Sequence, residues 1–99
     1  MTNDLRYKIE NQYILDLLQA MIGSISNNFR ASWIKVKDGN LEVFFLLEED
    51  NQKDREEIEE IIFEFEALQD KVVDVTSHII INEKKWSPPP ETRIIFAKK

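Results

Sequence analysis

Two stretches of the chain place apolar residues at intervals of three and four, the spacing of one face of an α-helix. The first covers residues 9–22, and Gly23-Ser24 follows it as a C-terminal stop. The second follows a polar connection and continues to about Gln69. The pattern predicts two amphipathic helices, with stripes formed by Ile9, Tyr13, Ile14, Leu17, Leu18, Met21 and Ile22 in the first and by Ile58, Ile61, Ile62, Phe65 and Leu68 in the second. The possible N-caps of the second helix are Asp54, in a capping box with Glu57, and Asp50 and Asn51.

Four further segments, residues 30–37, 41–48, 72–82 and 93–98, contain the apolar and β-branched residues that are typical of strands. Asp38-Gly39 lies between the first two segments and is a strong signal for a tight β-hairpin. Successive side chains of a strand point to opposite faces of the sheet. One face is therefore expected to receive Leu41, Val43, Phe45, Leu47, Val73, Val75, Ser77, Ile79 and Ile81, and the other Glu42, Phe44, Leu46, Glu48, Val72, Asp74, Thr76, His78, Ile80 and Asn82.

The predicted elements follow one another in the order αββαββ along 99 residues. Strands that are adjacent in sequence favour antiparallel hairpins, and amphipathic helices favour packing on one side of the sheet. We therefore predict an α+β fold, a two-layer sandwich with an antiparallel four-stranded sheet and two helices on one face. The length of the chain, without a linker or a repeat, predicts a single domain over residues 1–99.

Charge is concentrated in one part of the chain. Residues 48–74 contain 12 acids and three bases, a net charge of −9, whereas the remaining residues contain seven acids and ten bases, a net charge of +3. Nucleic-acid binding depends on neutralising phosphates with basic side chains, so we do not expect DNA or RNA as a ligand. The charge distribution favours a basic protein partner that is attracted over a long range.

The sequence supplies few groups for catalysis or for binding a cofactor. His78 is the single histidine, cysteine is absent, and neither a glycine-rich phosphate loop nor a nucleophile turn occurs. We therefore expect no enzymatic activity, no metal and no cofactor, and we interpret His78 as a partly exposed residue of the sheet. The absence of cysteine, of an apolar signal segment and of a membrane-spanning run favours the cytoplasm.

The second predicted helix carries most of the acids and also a phenylalanine outside its apolar stripe. At about 100° per residue, Phe63 lies roughly 140° from Ile58 and among glutamates. An exposed aromatic side chain with carboxylates around it is typical of an interface anchor with a charged rim. The alternative is that the glutamates form only a solvated surface and that a loop or the first helix covers Phe63. The predicted partner-binding residues are Glu56, Glu59, Glu60, Phe63, Glu64 and Trp86.

Trp86 precedes a serine and three prolines, which favour a stiff, extended loop. On such a loop, Trp86 is either a second anchor for the partner or a residue that folds back to cap the edge of the sheet. An alternative function is self-association, in which Phe44, Leu46 and Ile80 on an open sheet face pack against a copy of the chain.

Three segments resemble small immunity proteins from bacterial polymorphic-toxin and contact-dependent growth inhibition systems. They are residues 25–31 (ISNNFRA), residues 56–68 (EEIEEIIFEFEAL) and the ending from Trp86-Ser87-Pro88-Pro89 to residues 93–98 (RIIFAK). The resemblance implies a cytoplasmic protein that binds a cognate toxin domain, often a basic nuclease, and blocks its active site or substrate groove. It implies no particular contact residue. A carboxylate-rich surface would imitate the sign and spacing of phosphates for such a nuclease.

Overall fold

The computed structural model describes residues 3–81, 86–87 and 89–98, with side chains from residue 7 onward. This part of the chain forms two helices and four strands, the α+β class that the sequence predicts. Asn82, the predicted end of the third strand, and residues 83–85 and Pro88 of the predicted loop lie outside the described residues. The elements are α1 Asn3–Met21, β1 Phe29–Lys37, β2 Asn40–Leu47, α2 Gln52–Ala67, β3 Asp74–Ile81 and β4 Arg93–Ala97.

The four strands form one sheet in the order β3-β2-β1-β4. β1 is antiparallel to both β2 and β4, but β3 is parallel to β2, so the sheet is mixed and the predicted antiparallel sheet is wrong. The physical reason is the length of α2. Its 16 residues extend about 24 Å at about 1.5 Å per residue, and the eight residues of β2 extend about 26 Å. The helix therefore returns the chain to the end where β2 began, and β3 runs in the same direction as β2.

The predicted hairpin between β1 and β2 is confirmed. Asp38 and Gly39 have φ angles of 51° and 80°, and a type I′ turn requires positive φ at both central residues. Glycine adopts this conformation without the steric cost that a Cβ brings. The turn fixes the register of the two strands, and it places Trp33 opposite Phe44.

One core cluster contains residues of both helices and of one face of the sheet. The apolar residues predicted for one face of β2 and β3 belong to this cluster or pack against it, so the predicted alternation is confirmed. In α1, the predicted stripe is too wide, because Leu18 and Ile22 are exposed. They lie about 100° and 140° around the helix from the buried Leu17, beyond the sector that contacts the core. The buried members of the cluster are Leu17, Ala20, Met21, Phe29, Ile34, Leu41, Val43, Phe45, Leu47, Ile58, Ile61 and Phe65.

A second, smaller cluster lies on the opposite face of the sheet. Its buried residues are Ala31, Trp33 and Leu46, and the half-buried Phe44, Ile80 and Trp86 pack against them. Both faces of the sheet are thus partly covered, one by the helices and the other by its own aromatic side chains and Trp86.

Candidate protein-binding surface

The N-terminus of α2 is capped by Asn51, whose side chain accepts hydrogen bonds from two backbone N–H groups. The Oδ1 atom lies 2.9 Å from the nitrogen of Lys53 and 3.3 Å from that of Asp54. These bonds satisfy two of the N–H groups that the first turn of a helix leaves without a partner. Of the caps that the sequence offers, Asn51 is confirmed, and the capping box of Asp54 with Glu57 is wrong.

Asp54 has a different role, because its carboxylate binds the loop that precedes β1. Ser26 Oγ donates to one carboxylate oxygen at 3.0 Å, and Asn28 Nδ2 donates to the other at 2.8 Å. The same Asn28 side chain donates to the backbone oxygen of Glu49 at 2.8 Å. Asp54 is only 3% exposed, and hydrogen bonds to a charged group are stronger than neutral ones. The start of α2 is therefore fixed against the rest of the molecule.

The inner side of α2 holds the helix against the core. Ile58, Ile61 and Phe65 are buried, and Tyr13 of α1 contacts the Phe65 ring edge-on, with the ring centroids 5.8 Å apart. Helical periodicity then directs the residues about half a turn away toward solvent. The sequence of α2 thus separates a buried apolar side from an outer side that contributes nothing to the core.

On this outer side, Phe63 is 69% exposed, so neither a loop nor α1 covers it. Glu59 and Glu60 lie four and three residues before it and are therefore its neighbours on the helix surface. All four predicted glutamates of α2 are exposed. We define the acidic face as Glu56, Glu59, Glu60, Phe63 and Glu64.

The acidic face keeps its negative charge available. Within the described ranges, no ion pair reaches a glutamate of the acidic face, and Gln52 Nε2 makes the one hydrogen bond found there, 3.4 Å from Glu56 Oε1. Arg55 of the same helix is bound to Asp50, with Nε 2.6 Å from Oδ1. This hydrogen bond lowers the pKa of Asp50 and raises the pKa of Arg55. The acidic face therefore presents uncompensated carboxylates around an exposed aromatic ring.

Trp86 is not part of the acidic face. It lies on the opposite face of the sheet, where its ring centroid is 4.8 Å from that of Trp33 at an interplanar angle of 34°. Of the two predicted alternatives, the structure shows Trp86 folded back onto the sheet, over its face and not at its edge. The side chain is half-buried. The six predicted binding residues therefore do not form one surface, and a binding role for Trp86 stays a prediction.

Trp86 is the first ring of an aromatic row that the sequence analysis missed. Trp33 stacks on Phe44 with centroids 5.4 Å apart, and Phe44 stacks on His78 at 4.7 Å. These spacings follow from the strand separation of about 4.8 Å. Trp33 and Phe44 are equally distant from the Asp38-Gly39 turn in sequence, which is the signal that could have paired them. His78 joins the row because β3 pairs with β2 in parallel and places His78 beside Phe44. No pattern in the sequence indicates that pairing.

The second face is less open than the self-association hypothesis expects. Leu46 is 1% exposed, and Phe44 and Ile80 are half-buried because they pack against the second cluster.

His78 is a partly exposed sheet residue, as predicted, and its Nε2 lies 3.2 Å from Glu42 Oε1. In the described part of the chain, no group of three His, Asp or Glu side chains is placed to hold a metal ion. None of the described helices is both long and apolar enough to span a membrane.

Comparison with known proteins gives one family. No protein of curated function matches the chain significantly. Residues 10–99 match a family model described as MafI2 immunity protein. The match leaves out only the first nine residues, and Maf-type immunity proteins belong to polymorphic toxin systems. It confirms the resemblance to bacterial toxin immunity proteins and implies a cognate toxin as the partner. The chain belongs to the MafI2 immunity protein family.

Proposed function

We propose that this protein neutralises a basic toxin domain with nuclease activity by binding it through the acidic face of α2. The observation that carries the proposal is the 69% exposure of Phe63 next to glutamates that no described ion pair compensates. Interface hot spots combine an aromatic anchor with a rim that excludes water. Phe63 supplies the apolar contact area, and the glutamates supply charge complementary to a basic partner.

The inhibition follows from the likeness of the acidic face to a stretch of nucleic acid. From Glu56 to Glu64 the face extends about 12 Å along the helix, roughly the axial length of three to four nucleotides on one strand of B-DNA. A groove that binds phosphates through Lys and Arg side chains would accept these carboxylates in their place. The glutamates also steer the approach of a basic partner, which accelerates association at low ionic strength.

The proposal is tested by measuring association and dissociation rates with the purified cognate toxin domain across a range of salt concentrations. We expect Phe63→Ala to raise the Kd about 30-fold or more, the effect of removing an anchor worth about 2 kcal/mol. We expect Glu60→Lys to slow association and to reduce its dependence on salt. Glu91→Lys is the matched control, because it makes the same change of charge at an exposed residue outside α2.

Binding by both α2 variants with wild-type rates at every salt concentration would show that the toxin does not use the acidic face. The nuclease part of the proposal has its own readout, the cleavage of DNA and RNA by the toxin domain with and without the immunity protein. A toxin domain that binds the acidic face but cleaves neither DNA nor RNA would reject the nuclease and retain the binding surface.

A further inference from the structure

A second exposed apolar surface lies on α1, away from the acidic face. Leu15 and Leu18 of α1 and Ile22, the residue directly after it, are 59%, 40% and 79% exposed. Their spacing of three and four residues aligns them along one side of the helix and of the turn that follows it. We call these three residues the α1 stripe. Three large aliphatic side chains exposed in a row are typical of a protein–protein contact, whereas single exposed apolar residues are normal.

Polar contacts of α1 with β4 and with the end of α2 show which way the α1 stripe points. Arg93 of β4 donates a hydrogen bond to Asn11 of α1 at 2.8 Å, and Gln69, just after α2, donates to Asp16 of α1 at 3.0 Å. The same Arg93 also donates to Glu10 at 3.3 Å, so the side of α1 that borders β4 extends from Glu10 to Asn11. At about 100° per residue, and with this spacing continued one residue beyond α1, every member of the α1 stripe lies within about 40° of Asn11. Asp16 lies about 140° from Asn11. The α1 stripe is therefore on the side of α1 that borders β4 and not on the side that borders α2.

β4 is an edge strand, so the same flank also carries open backbone hydrogen-bonding groups. β1 pairs with one side of β4, and in the described part of the chain no strand pairs with the other side. An unpaired edge presents N–H and C=O groups that favour pairing with another extended chain. We define the α1–β4 flank as the α1 stripe together with the outer edge of Arg93–Ala97.

We propose that the α1–β4 flank is the interface of a two-fold symmetric dimer, in which a second copy of this chain is the occupant. In an antiparallel contact centred on Leu18, Leu15 meets Ile22 of the partner subunit, so the α1 stripe is complementary to itself. Gln12 and Gln19 border the stripe and carry no charge. The part of the contact formed by the α1 stripe therefore places no like charges against each other.

The distribution of charge favours this flank over α2 for self-association. The segment 48–74 has a net charge of −9, and a symmetric contact through the acidic face would set two such segments against each other. A two-fold axis perpendicular to the sheet makes α1 antiparallel to its copy and β4 antiparallel to its copy at the same time. Such a dimer leaves both acidic faces free for a toxin.

Sedimentation equilibrium of the full chain, across a wide range of protein concentration, tests the dimer. We expect wild type to approach about 23 kDa, twice the mass of the 11.7 kDa chain. Leu18→Glu places a carboxylate beside its symmetry mate, and Ile22→Glu sets a carboxylate against the apolar Leu15 of the partner subunit. Both variants are expected to stay at the mass of one chain. Val72→Glu is the matched control, because Val72 is 98% exposed and lies outside the flank; it should remain dimeric. Circular dichroism verifies that each variant is folded.

A wild-type chain that stays monomeric at every concentration overturns the dimer, as do Leu18→Glu and Ile22→Glu variants that dimerise like wild type. A monomeric wild type that loses toxin binding through Leu18→Glu would assign the flank to the toxin and would equally reject a second copy. These outcomes are separate from the test of the acidic face, because Phe63→Ala and Glu60→Lys do not alter the α1–β4 flank.

Discussion

Substituting Asp54 tests whether a buried carboxylate fixes the start of α2. Asp54→Ala removes the acceptor of the hydrogen bonds from Ser26 and Asn28, at 3.0 Å and 2.8 Å. Hydrogen bonds to charged groups contribute about 1.5–3 kcal/mol each. Ser26 is exposed and Asn28 is half-buried, so water replaces part of what they lose. We therefore expect the free energy of unfolding to fall by about 2–3 kcal/mol in total, a decrease in Tm of about 10–20 °C.

Urea denaturation followed by tryptophan fluorescence measures this loss. Asp50→Ala is the control, since Asp50 is an exposed carboxylate four residues earlier, and we expect its unfolding midpoint to stay near that of wild type. A double-mutant cycle of Asp54→Ala with Asn28→Ala isolates the contact between the two side chains. If Asp54→Ala unfolds at the wild-type urea concentration, or if the two substitutions are additive within about 0.3 kcal/mol, the carboxylate does not hold the helix in the way we infer.

Three further predictions concern the hairpin, the aromatic row and an exposed ion pair. Gly39→Ala forces a Cβ into a φ of 80° and should lower stability by about 1 kcal/mol in urea denaturation. Trp33→Ala removes the largest fully buried side chain, and thermal unfolding should show a loss of about 3–5 kcal/mol. Arg55→Ala should raise the pKa of Asp50 toward its ordinary value in an NMR titration, because the Arg55 hydrogen bond lowers it. Since that pKa is lowered in the folded protein, any stability from the pair is present above the ordinary pKa of Asp50 and disappears as the pH falls through the lowered value.

The sequence predicts the local features of the fold well, because each depends on residues that are close together. The Asp38-Gly39 turn and the alternation of β2 are visible as a turn dipeptide and a period of two. The buried side of α2 is visible as a period near 3.6, and the same wheel places Phe63 outside it. These signals predict which residues of β2 point inward without any knowledge of the sheet order. In α2 the predicted stripe is wrong at Leu68, which is 40% exposed because the helix ends at Ala67.

The errors come from features that depend on distant parts of the chain. The direction of β3 depends on the length of α2 relative to that of β2, because α2 returns the chain to the end where β2 began. The order of helices and strands alone does not contain this comparison of lengths. The hydrogen bonds from Ser26 and Asn28 to Asp54 cross more than 25 residues, so Asp54 resembles an ordinary helix cap in the sequence. Trp86 packs on Trp33 across the sheet, which only the three-dimensional structure reveals.

The arrangement of α2 separates the residues that stabilise the fold from those proposed to bind the toxin. Phe65 is fully buried and Phe63 is 69% exposed, although they are only two residues apart, because two residues correspond to about 200° around a helix. Substitutions on the acidic face therefore change charge and shape toward a partner without creating a cavity in the core, and substitutions of surface residues usually alter stability by less than about 0.5 kcal/mol. The choice of partner can then vary while the fold stays the same, since specificity is a difference between affinities that a few rim charges can set.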